Sequence, residues 1–87
     1  MFRIYTEDKG EVGRQRVFRV LTGAGIDGAT VYRATGFWRG ILEDALVIDL
    51  DGIDKYTAAE IAADIKSELS QDAVLFVEIA SQSTLLK

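Results

Sequence analysis

Four stretches of this chain carry a hydrophobic period of two and two carry a period near 3.6, and the order in which they alternate restricts the fold more than any other feature. Phe2-Arg3-Ile4-Tyr5-Thr6 alternates and is rich in β-formers, which predicts a first strand. Residues 7–13 are charged and contain glycine, so they read as a connection. From about residue 12 to 24, Val17, Val20, Leu21 and Ala24 recur at i, i+3, i+4 and i+7, one face of a helix that Gly23 and Gly25 bring to an end. Residues 29–37 predict a second strand and 45–50 a third, with residues 38–44 as the loop between them. A second helical stripe follows in Ala58, Ile61, Ala62, Ile65 and Leu69. Its start reads as a capping box, Thr57-Ala58-Ala59-Glu60, in which the hydroxyl and the carboxylate satisfy free amides reciprocally. Gln71-Asp72 ends that helix, and residues 73–80 predict a fourth strand. The polar tail, 81–87, carries Leu85 and Leu86 and has room for a short added strand.

The resulting order is β-α-β-β-α-β. That order predicts an α+β, ferredoxin-like sandwich: a four-stranded antiparallel sheet with two helices on one face. Eighty-seven residues make one domain, 1–87. A chain this short buries only about 60% of its unfolded surface, so its core is marginal without reinforcement. With no Cys and no His, disulfides and the best zinc, copper or haem ligands are absent, and oligomerisation is the reinforcement left. The first ten residues have no apolar run of the secretory type, and no stretch approaches the roughly 20 apolar residues that span a bilayer. A cytoplasmic protein with no membrane partner is expected, in the host cytoplasm if the gene is a phage's.

Strand periodicity adds an expectation about the sheet's uncovered face. If the helices cover Phe2, Ile4, Leu46, Ile48, Leu50, Leu75, Val77 and Ile79, then Tyr5, Val47, Val74 and Phe76 lie on the bare side. An apolar patch of that kind marks an interface, here with copies of the same chain.

Three motifs compete for a function. Gly23-Ala24-Gly25-Ile26-Asp27-Gly28 spells G-x-G-x-x-G, but dinucleotide binding needs those glycines after a strand and opening a helix. Here they close a helix, so a C-cap and a turn account for them. Asp49-Leu50-Asp51-Gly52-Ile53-Asp54 resembles a calcium loop, yet its glycine falls at position four rather than six. A solvated strand-to-helix loop accounts for it, and no metal site is expected. Without His or Cys there is no nucleophile–imidazole pair, and Glu43-Asp44 point to opposite faces of a strand, so no catalytic residue, cofactor or enzyme activity is expected.

What remains is Thr35-Gly36-Phe37-Trp38-Arg39-Gly40, which holds the only Trp in the chain. Trp38 offers a face for stacking, worth about 1–3 kcal/mol against a base. Arg39 offers a fork for phosphate or carboxylate. Gly36 and Gly40 let the backbone approach a ligand; Glu43 is placed to accept from a base edge or ribose, and Arg33 lies upstream. Trp38, Arg39, Gly40, Glu43, Arg33 and Phe37 are therefore the candidate site for a small anionic ligand, with a nucleotide as the favoured class. Trp and Arg are also enriched at protein seams, so an interface role for the loop stands beside the ligand role. Net charge is −4, with about +3 before Gly40 and −7 from Gly40 onward, and this overall acidity argues against duplex nucleic acid as a partner.

Gly25-Ile26-Asp27-Gly28-Ala29-Thr30-Val31, followed by Gly36-Phe37, resembles the PII signalling superfamily and its smaller PII-like relatives. That resemblance implies a ferredoxin-like trimer binding adenine nucleotides between subunits. The long loop those proteins carry between strands two and three is absent, so none of their nucleotide-binding positions maps onto this chain. A second resemblance, T-G-[FY]-W-R-G at Thr35–Gly40 with Glu43 and Gln71-Asp72-Ala73-Val74-Leu75, is to small uncharacterised bacteriophage proteins. The chain as a whole reads as a non-enzymatic homo-oligomer. By analogy with the small oligomeric proteins that phages use as sponges, together with the Trp38-Arg39 loop, a sponge for a host nucleotide immune signal is its most specific form. A protein-interaction or inhibitor module using the Trp38 loop, and a PII-like nucleotide-sensing regulator, are the alternatives.

Overall fold

In a computed structural model, which describes residues 1–80, the chain folds as β1 Phe2–Glu7, α1 Gly10–Gly23, β2 Ala29–Trp38, β3 Ile41–Leu50, α2 Lys55–Glu68 and β4 Leu75–Glu78. The strands form one antiparallel sheet in the order β2-β3-β1-β4. This is the ferredoxin-like α+β sandwich that the alternation of periods predicts. The reading of residues 81–87 as a polar tail lies outside the described residues.

The core sits between the helices and one sheet face. Phe2, Ile4, Leu46, Ile48 and Leu50 from the sheet meet Val17 and Leu21 of α1, Ala58, Ile61, Ala62 and Ile65 of α2, and Leu69 beyond it. Each aliphatic side chain fully buried there contributes about 1.5–3 kcal/mol. Helix α1 ends as its glycines require: Gly25 takes φ 68°, and the amides of Ala24 and Gly25 close onto Val20 and Thr22 carbonyls.

Helix α2 starts differently from its expected capping box. The N-cap is Asp54, whose Oδ1 accepts from the Thr57 amide at 2.7 Å. The carboxylate three residues ahead of Thr57 reaches that free donor, and as an anion at the helix amino terminus it also meets the favourable end of the dipole. Asp54 is accordingly held below the usual carboxylate pKa, first by the Thr57 amide.

Register corrects the face assigned to β4. Ile4 pairs with Phe76 and Tyr5 with Leu75, and directly paired residues share a face. Phe76 therefore lies under the helices, its ring stacked on Phe2 at 5.6 Å between centroids, and Val74 also packs against the core. Neither belongs to the bare face. Leu75 and Val77 take their places there, beside Tyr5, Val47 and Tyr32. The error came from composition: in residues 73–80 both phases are apolar, Val74 and Phe76 against Leu75, Val77 and Ile79, so alternation alone does not say which side faces the helices, and only Leu75–Glu78 form the strand. Val47 is on the uncovered face yet only 2% exposed. Its direct neighbours across the sheet are Tyr5 and Tyr32, and Tyr32 donates to Asp49, which in turn grips Arg3 at 2.6 and 3.1 Å. That Asp49 pairing raises the Arg3 pKa above its ordinary value.

Candidate functional site

The expected loop at residues 38–44 is a continuation of the sheet. Ile41 pairs with Trp38, Leu42 with Phe37, Glu43 with Gly36 and Asp44 with Thr35, so only Arg39 and Gly40 form the turn. Both have positive φ, 50° and 79°, as a two-residue turn matched to the right-handed strand twist demands. Gly40 adopts this freely, whereas Arg39 is in a region that favours Gly or Asn. An X-Gly pair between two apolar runs is the signal that would have located this hairpin from sequence.

The hairpin also projects. β1 pairs with β3 only from Ala45 to Leu50, so residues 35–44 extend past the rest of the sheet as a two-stranded arm. Its tip carries Phe37, Trp38, Ile41 and Leu42, all between 61 and 73% exposed. Alternation puts Trp38 and Ile41 on one side of the arm and Phe37 and Leu42 on the other. Arg39 folds back over the Trp38 ring, its Cζ 5.5 Å from the centroid, a cation–π contact that holds the charge at the tip.

The six residues expected to form a site are divided by this geometry. Trp38 and Glu43 share the side continuous with the bare sheet face, with Arg39 and Gly40 at the turn. Arg33 and Phe37 share the opposite side, continuous with the helix-covered face. Within one protomer they do not converge.

Arg33 belongs to a cluster that includes a residue sequence reasoning missed. Asp8, directly after β1, is 3% exposed. Its carboxylate accepts from Arg14 Nη1 at 2.9 and 3.1 Å, from the Gly10 amide at 3.1 Å and from Arg33 Nε at 3.1 Å. Burial works against ionisation of Asp8, but the Gly10 amide and the two guanidinium groups outweigh it and hold the carboxyl below its usual pKa. The Asp8 amide donates to the Asp44 carbonyl at 3.0 Å, which ties the cluster to the root of the arm. A shallow cleft of about 250 Å³ opens there, lined by Asp8, Arg33, Ala34, Thr35 and Asp44. The Gly10 and Arg14 contacts are local, two and six residues on, but Arg33 lies 25 residues away and that contact exists only once β2 is placed beyond β3.

The calcium-like motif set aside earlier has structural employment: Asp49 pairs with Arg3, and Asp54 caps α2. Among the described residues no group of three or more Asp, Glu, His or Cys comes together in a way that would hold a metal ion, and no helix is long and apolar enough to cross a membrane.

No family model matches this chain, and no curated protein matches it in sequence. Among solved structures, the periplasmic divalent cation tolerance protein CutA from Archaeoglobus fulgidus matches with a TM-score of 0.61 at 17% identity, over 98% of this chain and 88% of that one. At that identity the likeness concerns the fold alone: this chain is similar to CutA in its ferredoxin-like architecture.

Proposed function

We propose that this chain is a non-enzymatic homo-oligomer that binds a small anionic ligand of the nucleotide class, with the β2–β3 arm serving both ends. The observation that carries the reading is the arm itself, with four large apolar side chains exposed on both of its sides. At about 1.5–3 kcal/mol for full burial of each, and with roughly two-thirds of their surface still available, covering one arm is worth about 4–8 kcal/mol before costs. A micromolar complex needs about 8 kcal/mol net, after several kcal/mol of lost translational and rotational freedom. One arm against an unrelated surface falls short. An assembly in which each copy offers an arm and receives one doubles the gain, which favours a second copy of this chain as the occupant. Such a seam also brings together the Trp38 side of one arm and the Arg33 side of another, which a single protomer keeps apart.

The finer reading, a sponge that sequesters a nucleotide signal, is supported by the bacteriophage resemblance of Thr35–Gly40 and by a sequence without His or Cys, which offers no nucleophile–imidazole or thiolate chemistry. Sedimentation at micromolar concentration tests the assembly, and mass spectrometry of small molecules released from gently purified protein tests the ligand. A monomer in the first experiment refutes the assembly. No released anion in the second, together with no melting shift from a nucleotide panel, refutes the ligand. An oligomer without ligand, or a monomer captured by one protein through Trp38, would instead favour the interaction-module reading.

A further inference from the structure

The two sides of the arm differ in chemistry as well as in direction. The Trp38 side presents Trp38 and Ile41, then Gly36 and Glu43, and runs straight into the bare sheet face. The opposite side is ordered by polarity along β2. Arg33 stands at the root, Thr35 beside Asp44 comes next, and Phe37 beside Leu42 is at the tip. These are three successive rows of one strand face, so Arg33 and Phe37 lie about 13 Å apart at about 3.3 Å per residue.

We infer that this side of the arm is the ligand strip, and that it takes a nucleoside monophosphate lying along the strand, phosphate at Arg33, sugar at Thr35 and Asp44, ring on Phe37 and Leu42. The inference rests on the anionic-ligand reading above and narrows it to one face and one ligand class. Three features carry it. First, Arg33 is anchored by Asp8 through Nε alone, and its side chain is otherwise 69% exposed. That leaves the two Nη groups, the half of the guanidinium that matches a phosphate edge bidentately, without a hydrogen bond among the described residues. Second, Arg14 and Arg33 together balance Asp8 and Asp44 at the cleft, so the root of the strip is neutral and not acidic, and the open edge of Arg33 is not outweighed by carboxylates. Third, the next row holds a hydroxyl and a carboxylate, acceptors suited to sugar hydroxyls, and the last row is an exposed phenyl beside a leucine, a platform for a planar ring. Asp44 also fixes direction: a phosphate placed in its row would be repelled, whereas a ribose there is held. The Trp38 side carries no comparable gradient; in the assembly read above it is the side that closes over the strip of a neighbouring copy.

Isothermal titration of the full-length protein with adenosine 5′-monophosphate, adenosine and ribose 5-phosphate tests the strip. The monophosphate is expected to bind at least tenfold more tightly than either fragment. Arg33→Gln should erase the advantage of the monophosphate over adenosine, and Arg33→Lys, which keeps the charge but not the fork, should recover only part of it. Phe37→Ala should erase the advantage over ribose 5-phosphate. Glu60→Gln, on α2 and away from the arm, is the control and should bind like the parent. If the parent binds the monophosphate and Arg33→Gln and Phe37→Ala bind it equally well, the strip is wrong while the anionic-ligand reading stands. If the parent ignores the monophosphate but carries another co-purified anion, the ligand class is wrong and the broader reading again stands. If it binds no anion at all, both fall.

Discussion

Asp8→Ala is the most informative single perturbation of this fold. The side chain is 3% exposed and its two oxygens accept four hydrogen bonds, from Gly10, twice from Arg14, and from Arg33. Removing one partner of a buried ion pair costs about 3–5 kcal/mol when the other charge is left stranded. Here the stranded charges are partly wet, Arg14 at 25% and Arg33 at 69% exposure, so Arg33 turns to solvent at little cost and Arg14 at moderate cost. The Gly10 amide, at the start of α1, loses its acceptor as well. An expected loss of about 2–3 kcal/mol follows, which for a domain of this size lowers Tm by roughly 10–20 °C. Urea denaturation of Asp8→Ala, Arg14→Ala, Arg33→Ala and the two double variants measures it. The Asp8–Arg14 coupling should exceed the Asp8–Arg33 coupling, because the first pair is the more buried. The acid limb supplies an independent check. The folded pKa of Asp8 lies below its ordinary value near 3.8, so its contribution is complete above that value and is lost as pH falls through the lower, folded pKa. The parent should therefore lose stability below about pH 4 more steeply than Asp8→Asn. A loss under about 0.5 kcal/mol for Asp8→Ala, within ordinary surface variation, would refute the argument that this carboxylate organises the root of the arm.

Three further outcomes follow from the geometry. Phe76→Ala, which removes a ring stacked on Phe2, should cost about 2–4 kcal/mol in urea denaturation, whereas Leu75→Ser on the uncovered face should leave monomer stability nearly unchanged and weaken assembly instead. Equal costs would mean the β4 register is wrong. Asp54→Ala should cost about 1 kcal/mol, with Glu60→Ala near zero, since Asp54 and not the Thr57–Glu60 box caps α2; thermal melts followed by circular dichroism decide this. Arg39→Asn should stabilise the fold by up to about 1 kcal/mol, because it relieves a positive φ at a non-glycine turn position, while sedimentation shows whether loss of the Trp38–Arg39 contact weakens self-association.

Hydrophobic periodicity alone was enough for the element order, the α+β class and most of the core, because each of those follows from side-chain spacing along one segment. Val17, Leu21, Ile61 and Ile65 could only bury one helical face, and Phe2, Ile4, Leu46 and Ile48 only one strand face. The glycine run from Gly23 was legible for the same reason, since a C-cap is a local event. The arm was not read as a strand pair, although Arg39-Gly40 is a local turn signal, because residues 41–44 look like a loop until their pairing with 35–38 is known. Tertiary structure alone decided three things. It set the face of Phe76, which depends on the register of a four-residue strand against β1. It divided the candidate site, placing Trp38 and Glu43 on one side of the arm and Arg33 and Phe37 on the other. And it supplied Asp8, whose partners come from three separate elements. For Phe76 and for the Asp8–Arg33 contact the deciding interaction joins residues far apart in sequence, and such a contact leaves no period, cap or turn in the chain, whereas the division of the site follows from strand alternation once the Arg39-Gly40 hairpin is in place.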